Sequence, residues 1–263
     1  MQYNYLSASE IRDKAKEMLK GNYGKAIGIT VSQLLFHYFA NFFSFEVEDG
    51  IRNLLAGPGG SLPVTKDLIV SLGGYLLFLL FLVLADISMA GIALFYLKTA
   101  TGRGGQLADF YYGYQKDTGR FFTISCVLLL PQFVASLPFF FLYRWYLNAP
   151  GSVSLPAVIA AAVLATLIQP LVSLFLGIAF YLAMDFSHLS AGEVLRETWQ
   201  KMSGHRLRFL RLMIGFLPLL LLSLLSFGVG FLWVVPYYRM SVAVFYLDLM
   251  KPKAVTSTWE RTA

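Results

Sequence analysis

Residues 216–232, FLPLLLLSLLSFGVGFL, decide how this chain is built. No charge occurs in them, and before the glycines only Pro218, Ser223 and Ser226 dilute a run of Leu and Phe. About 20 such residues carry a helix across roughly 30 Å of hydrocarbon, so the run reads as a membrane span. Its only interruption is Gly228-Val229-Gly230. A helix continued through that point would be apolar for roughly 40 residues, twice what a bilayer needs. A tight turn at the glycines is the better reading, and it gives two spans, 207–229 and 231–249.

Working outward, comparable runs lie at 23–45, 68–97, 121–142 and 156–184. The expected fold is therefore all-α: a polytopic bundle of about six transmembrane helices. The second and fourth runs exceed a straight span, and Gly73-Gly74 and Pro170 are the expected bends. Composition agrees. Hydrophobic residues make up 57% of the chain and charged residues 14%, with a mean hydropathy of +0.63. A soluble fold carries about 25% charged residues. The net charge of +6 does not point to nucleic acid, because the basic residues recur at the ends of apolar runs and form no groove. The single cysteine, Cys126, excludes an internal disulfide. The charged amphipathic stretch Glu10 to Lys20 is not a signal peptide.

Lys and Arg in the connections set the orientation. One side holds seventeen of the 21: Arg12, Lys14, Lys16, Lys20, Lys25, Lys98, Arg103, Lys116, Arg120, Arg196, Lys201, Arg206, Arg208, Arg211, Lys251, Lys253 and Arg261. The other side holds Arg52, Lys66 and Arg144, while Arg239 falls inside the last span. This predicts both termini on the cytoplasmic side of a plasma membrane. A loop over 46–67, with Glu46, Glu48, Asp49 and the glycine-rich 57–60, faces outward. That loop is no phosphate cradle, since neither a strand nor a Lys-Ser/Thr pair accompanies it.

Two basic connections repeat one another. Leu6-Ser7-Ala8-Ser9-Glu10-Ile11 returns as Leu189-Ser190-Ala191-Gly192-Glu193-Val194. Ser7 with Glu10, and Ser190 with Glu193, form capping boxes with a hydrophobic staple around each. Gly21 and Gly204 stand equally far past their serines and suit left-handed C-terminal caps. Each predicted helix has one apolar stripe, Ile11, Ala15, Met18 and Leu19 in the first, Val194, Leu195, Thr198, Trp199 and Met202 in the second. These are amphipathic interfacial helices on the cytoplasmic face, apolar side in lipid or on the bundle. A third copy, without a box, has Leu107, Phe110, Tyr111 and Tyr114 at helical spacing and Gly119 as its stop. Phe95-Tyr96-Leu97 and Phe180-Tyr181-Leu182 precede the last two copies, and Phe180 stands as far beyond Phe95 as Gly204 beyond Gly119. Phe245-Tyr246-Leu247 ends the last span. The single membrane domain over 1–263 would thus hold pseudo-repeated units at about 75–143 and 157–230. The segment 231–250, with 6–45, forms a split third. Chance recurrence in a chain rich in these residues is the alternative.

Ionisable groups at membrane depth are the first place to look for function. Measured from their triplets, Asp86 and Arg239 differ in depth by about 4.5 Å at ~1.5 Å per residue. They either pair across helices or lie apart, Arg239 snorkelling or at a Pro236 kink and Asp86 near the headgroups. Gln33, His37 and Asn41 form one polar stripe, read as interhelical glue or as the wall of a watered path. Gln132 and Gln169 read as glue. Asp185, His188, Glu193 and Glu197 make too loose a set for a metal, with Glu193 used in a cap and one histidine at hand. His205 belongs to a basic rim. Tyr143, Trp145, Trp199 and Trp233 are interface anchors. No nucleophile–base pair or carboxylate dyad falls on one side at one depth, so no catalytic residue, cofactor or metal is expected.

The run Asp185…Leu189-Ser190-Ala191-Gly192-Glu193…Met202-Ser203-Gly204-His205 continues through Leu225-Ser226-Phe227 to Trp233…Pro236-Tyr237-Tyr238…Phe245-Tyr246. With the opening Arg12…Ala15…Leu19-Lys20-Gly21-Asn22-Tyr23 it resembles the bacterial membrane family catalogued as domain of unknown function 975. The resemblance implies a multi-span bacterial plasma-membrane protein without an established activity. The chain also looks distantly like the membrane portion of some glycerophosphodiester phosphodiesterases, but no hydrolase domain is present and that activity is not implied. The expected role is a non-enzymatic scaffold binding anionic lipid headgroups or membrane-protein partners at its cytoplasmic face. The rival is a small transporter or channel with a polar path.

Overall fold

The computed structural model describes residues 5–57, 60–149 and 151–251, and among these there are helices and no strands. Pro58 and Gly59 of the glycine-rich loop, and the basic Lys253 and Arg261, lie outside the described residues. The helices run α1 (Ala8–Leu19), α2 (Tyr23–Ala56), α3 (Val64–Asp86) and α4 (Ser88–Ala100). A 3-10 turn over Leu107–Tyr111 leads into α5 (Tyr112–Gln115). Then follow α6 (Thr118–Asn148), α7 (Leu155–Leu176), α8 (Ala179–Asp185), α9 (Ala191–Met202), α10 (Arg206–Ile214), α11 (Leu217–Leu225) and α12 (Phe231–Leu249).

Among the described residues, five helical stretches are long and apolar enough to cross a bilayer: Tyr23–Ala56, Val64–Ala100, Thr118–Leu147, Leu155–Asp185 and Arg206–Leu225. The sixth expected span is α12, a single helix over Phe231–Leu249. Pro236, four tyrosine and charge positions (Tyr237, Tyr238, Arg239, Asp248) and Tyr246 keep it less apolar than the others. It compensates by burial, since Met240 to Tyr246 all lie in the core. The turn that separates it from α11 forms at the expected glycines, with Phe227 and Gly228 in the left-handed region.

Three expectations need correction. The outer loop is shorter than 46–67, because α2 continues to Ala56. Glu48 pairs with Arg52 and Asp49 with Asn53, each one turn apart, and these local pairs favour helix over loop. The bend in the second run is at Ile87, not at Gly73-Gly74, which α3 passes through unbroken. The fourth run passes through Pro170 and breaks at Gly177-Ile178 instead, where Phe209 presses on Gly177. In a span, neighbouring helices absorb what a proline leaves unbonded, so proline need not mark the break.

The core lies at the basic end. Phe95, Tyr96, Phe180, Tyr181, Phe245 and Tyr246, the aromatic pairs of the three triplets, are all at most 6% exposed. They come from α4, α8 and α12, and α4 packs against both of the others. Tyr181 and Tyr246 stack with ring centroids 6.0 Å apart. Towards the other end lie two hairpins, α2 with α3 and α6 with α7, joined where α3 meets α6, and many of their large apolar side chains are exposed.

Candidate functional site

Against each core helix lies one short segment: α1 on α12, the 3-10 turn with α5 on α4, and α9 on α8. Local chemistry starts the first and last. The Ser7 hydroxyl accepts the Glu10 amide at 3.3 Å, and the Ser7 amide donates to Glu10 Oε2 at 2.6 Å. In α9 the Ser190 hydroxyl accepts the Glu193 amide at 3.4 Å, and the Ser190 amide donates to Glu193 Oε2 at 2.8 Å. The backbone hydrogen bond to Ser7 and to Ser190 holds the Glu10 and Glu193 carboxyls below their ordinary value of 4.5. Gly21 and Gly204 follow in the left-handed region, φ 78° and 84°, where a Cβ would be strained.

Of the two places offered to the apolar stripes, the bundle takes them. Ile11, Ala15, Leu19, Val194, Thr198 and Met202 are fully buried, and only Trp199, half exposed, keeps an outward face. The third segment departs from its expected stripe. It forms a 3-10 turn and not an α-helix, and Phe110 enters the core while Leu107 and Tyr111 stay exposed. Asp109 steadies its start, accepting the Gln106 amide at 2.8 Å and the Lys98 ammonium at 2.5 Å. Gly119 does not cap it. The left-handed residue is Asp117, φ 52°, and Gly119 already belongs to the first turn of α6. Tyr114 donates to the Leu84 carbonyl at 2.8 Å, and burial pushes its hydroxyl up to about 12.

Arginines tie the segments to one another. The Arg120 guanidinium, on α6, donates to the carbonyls of Ala183, Ser187 and Leu189 at 3.0, 2.7 and 3.0 Å. Arg208, on α10, donates to the Leu6 carbonyl at 2.9 Å and pairs with Asp248, which also accepts the Leu6 amide at 3.1 Å. Leu189 and Leu6 hold the same place, one residue before their capping serines. Arg12 reaches the Gly215 carbonyl, 2.9 Å away at the break between α10 and α11. Sequence reading had marked these arginines only as rim charges.

The intramembrane polar groups divide. Arg239 donates to Gln33 Oε1 at 2.6 Å and to Met89 Sδ at 3.2 Å, and no salt bridge joins it to Asp86 among the described residues. Asp86 faces Ser125 on α6 instead. Similar depth does not ensure contact: Asp86 lies within reach of the Arg239 charge, but the guanidinium bonds Gln33 and Met89. The Gln33 stripe divides too. His37 Nδ1 lies 2.9 Å from the Gln33 carbonyl of its own helix, and Asn41 is exposed beside a small polar cavity lined by Glu48, Ser71 and Tyr75. The buried Oε1 of Gln132 has no hydrogen-bond partner among the described residues. Asp185 accepts the Tyr246 hydroxyl at 2.8 Å, and no group of three metal-ligating side chains occurs among the described residues. His205 stacks edge-on with Tyr5 at 4.7 Å, and burial, then Arg208, pull its imidazole below 6.5. At the opposite end Arg52 joins Glu48 and Asp67, and Asp67 also pairs with Arg144.

A family model described as protein of unknown function (DUF975) matches residues 1–253. No curated protein and no solved structure matches the chain.

Proposed function

The chain belongs to the DUF975 family of proteins of unknown function, and from that premise we propose that it is a non-enzymatic membrane scaffold whose basic face binds anionic lipid headgroups or membrane-protein partners. Both termini and that face lie on the cytoplasmic side of a bacterial plasma membrane in this reading. One observation carries it. α1 and α9 commit their apolar stripes to the bundle, which turns Lys14, Lys16, Lys20 and Arg196 outward, exposed and without an ion pair among the described residues. Lys and Arg near an anionic leaflet contribute about 1 kcal/mol each. The other arginines of this end, Arg12, Arg120 and Arg208, are occupied with backbone carbonyls and hold the surface in shape.

The three core helices and their short segments support a pseudo-threefold plan, with α12, α1 and α2 as the unit split between the chain's two ends. Arg120 reaching Leu189 and Arg208 reaching Leu6 make the same contact from one unit to the next. The transporter reading has less behind it: Arg239 and Gln33 satisfy one another, and the triplets close the bundle beneath them. The test is lipid enrichment around the protein in bilayer discs of mixed phosphatidylglycerol and phosphatidylcholine. Enrichment of the anionic lipid that falls when Lys14, Lys16, Lys20 and Arg196 become glutamine supports the reading. Equal occupancy of both lipids, with no protein captured by the basic face, refutes it.

A further inference from the structure

Arg206 opens α10, and its guanidinium carbon lies beside two aromatic rings, 4.1 Å from the Phe175 centroid and 4.8 Å from that of Trp199. Those two rings stack on each other at 4.7 Å, fixing the surface on which the cation rests. Among the described residues no carboxylate pairs with Arg206, and its buried Nε meets no acceptor. A guanidinium presents five donors in a planar fork suited to a phosphate.

An apolar groove of about 420 Å³ opens between α7 and the α10–α11 pair, floored by α12. Its walls include Leu167 and Pro170 on one side and Leu210, Ile214 and Leu217 on the other, with Val234 beneath. Arg206, Leu210 and Ile214 follow one another one turn apart on α10, and across from them Phe175 lies five residues past Pro170 on α7. The cation thus stands at the basic mouth of the groove. From Arg206 to Leu217 the helices rise about 16 Å at ~1.5 Å per residue, the length of most of one acyl chain. Lining and mouth match the two parts of an acidic lipid.

We propose that this groove holds one acyl chain of an anionic phospholipid whose phosphate rests on Arg206. The proposal rests on the reading that the basic end engages anionic headgroups, and it assigns that end one defined site. The probe is the full chain in micelles with equimolar dioleoyl phosphatidylglycerol and dioleoyl phosphatidylcholine, the first bound lipid being read by native mass spectrometry. The wild type should favour the anionic lipid about fivefold, the factor for one basic residue at an anionic surface. Arg206→Gln should abolish that preference, and Leu217→Trp, which fills the groove, should lower retention of both lipids. Lys14→Gln with Lys16→Gln and Lys20→Gln should leave the first-lipid preference in place. A preference that survives Arg206→Gln overturns the site but not the wider reading; no preference in the wild type overturns the site, and it removes the wider reading only when the basic face also captures no protein. Unchanged retention in Leu217→Trp, or cross-linking of Leu217→Cys to a second copy, also overturns the site. If Arg206→Gln does not fold, Arg206→Lys replaces it: a preference undiminished without the planar fork counts against the site.

Discussion

Replacing Arg120 with methionine keeps roughly the apolar stem of the side chain and removes the guanidinium with its charge and donors. Three carbonyls then lose a charged donor, those of Ala183, Ser187 and Leu189. A hydrogen bond to a charged group contributes ~1.5–3 kcal/mol, but the three share one guanidinium and do not add in full. The Ser187 contact is exposed, so water replaces it, while the other two are partly buried. The ion pair with Asp117 adds almost nothing, at 3.8 Å and with a carboxylate 53% exposed. The expected loss is about 3 kcal/mol, which at ~2–4 °C per kcal/mol lowers the melting temperature by about 6–12 °C. Tryptophan fluorescence during heating in micelles reads it, with Trp199 reporting on the helix that Leu189 precedes. Arg120→Lys, which reaches fewer carbonyls, should fall between methionine and wild type. A methionine variant that melts within ~2 °C of wild type would show that the loop after α8 holds itself, and the reasoning would fail.

Ser7→Ala and Ser190→Ala should each cost ~1 kcal/mol and should add, because each acts on its own helix; hydrogen exchange in the first turns of α1 and α9 checks this. Glu10 and Glu193 have folded values below the ordinary 4.5, so their stabilisation is complete above that pH and is lost as pH falls through the folded value. Exchange in those turns should rise below pH 4.5, and Glu10→Gln with Glu193→Gln should remove the pH dependence; a slope unchanged in the double variant would contradict the assignment. His205 also titrates below its ordinary 6.5, which means protonation opposes the fold, so stability should decline as pH drops from 6.5 and stay level in His205→Asn. Gln33→Leu should cost ~3–5 kcal/mol by leaving Arg239 with a thioether alone, and adding Arg239→Met should recover most of it; a double variant no better than the single would refute the pairing. Exchanging Asp86 with Arg239 should give no rescue in folded yield.

What was legible in the sequence was local. The capping boxes span four residues, and a serine followed three places later by glutamate reports its own geometry, so α1 and α9 were found with their ends. Apolar length also sufficed for the spans, but not for where they stop. The acidic segment 46–53 looked like loop because its charges were weighed singly, although Glu48 and Arg52 one turn apart were the signal that α2 continues. Depth could be estimated for Asp86 and Arg239, but depth does not say which partners a guanidinium bonds. Gly119 drew attention from Asp117 because glycine is the usual left-handed residue. The contacts of Arg120 with Leu189 and Arg208 with Leu6 join residues 69 and 202 positions apart. In the register of the repeat Arg120 falls opposite His205 and not Arg208, so only the folded chain brings them out.

The contact between α1 and α12 has a consequence for how the molecule is made. Of the described helices the ribosome delivers α1 before and α12 after all the others, so Ile11, Ala15 and Leu19 wait for their cover until α12 follows. Insertion can proceed hairpin by hairpin, yet the ring of short segments cannot close until Asp248 arrives to receive the Leu6 amide and Arg208. The last pairing is also the one of greatest sequence separation, and it should set the slow step of maturation. A nascent chain stalled before Phe231 would leave the apolar stripe of α1 without its cover, a natural handle for chaperones and for quality-control proteases.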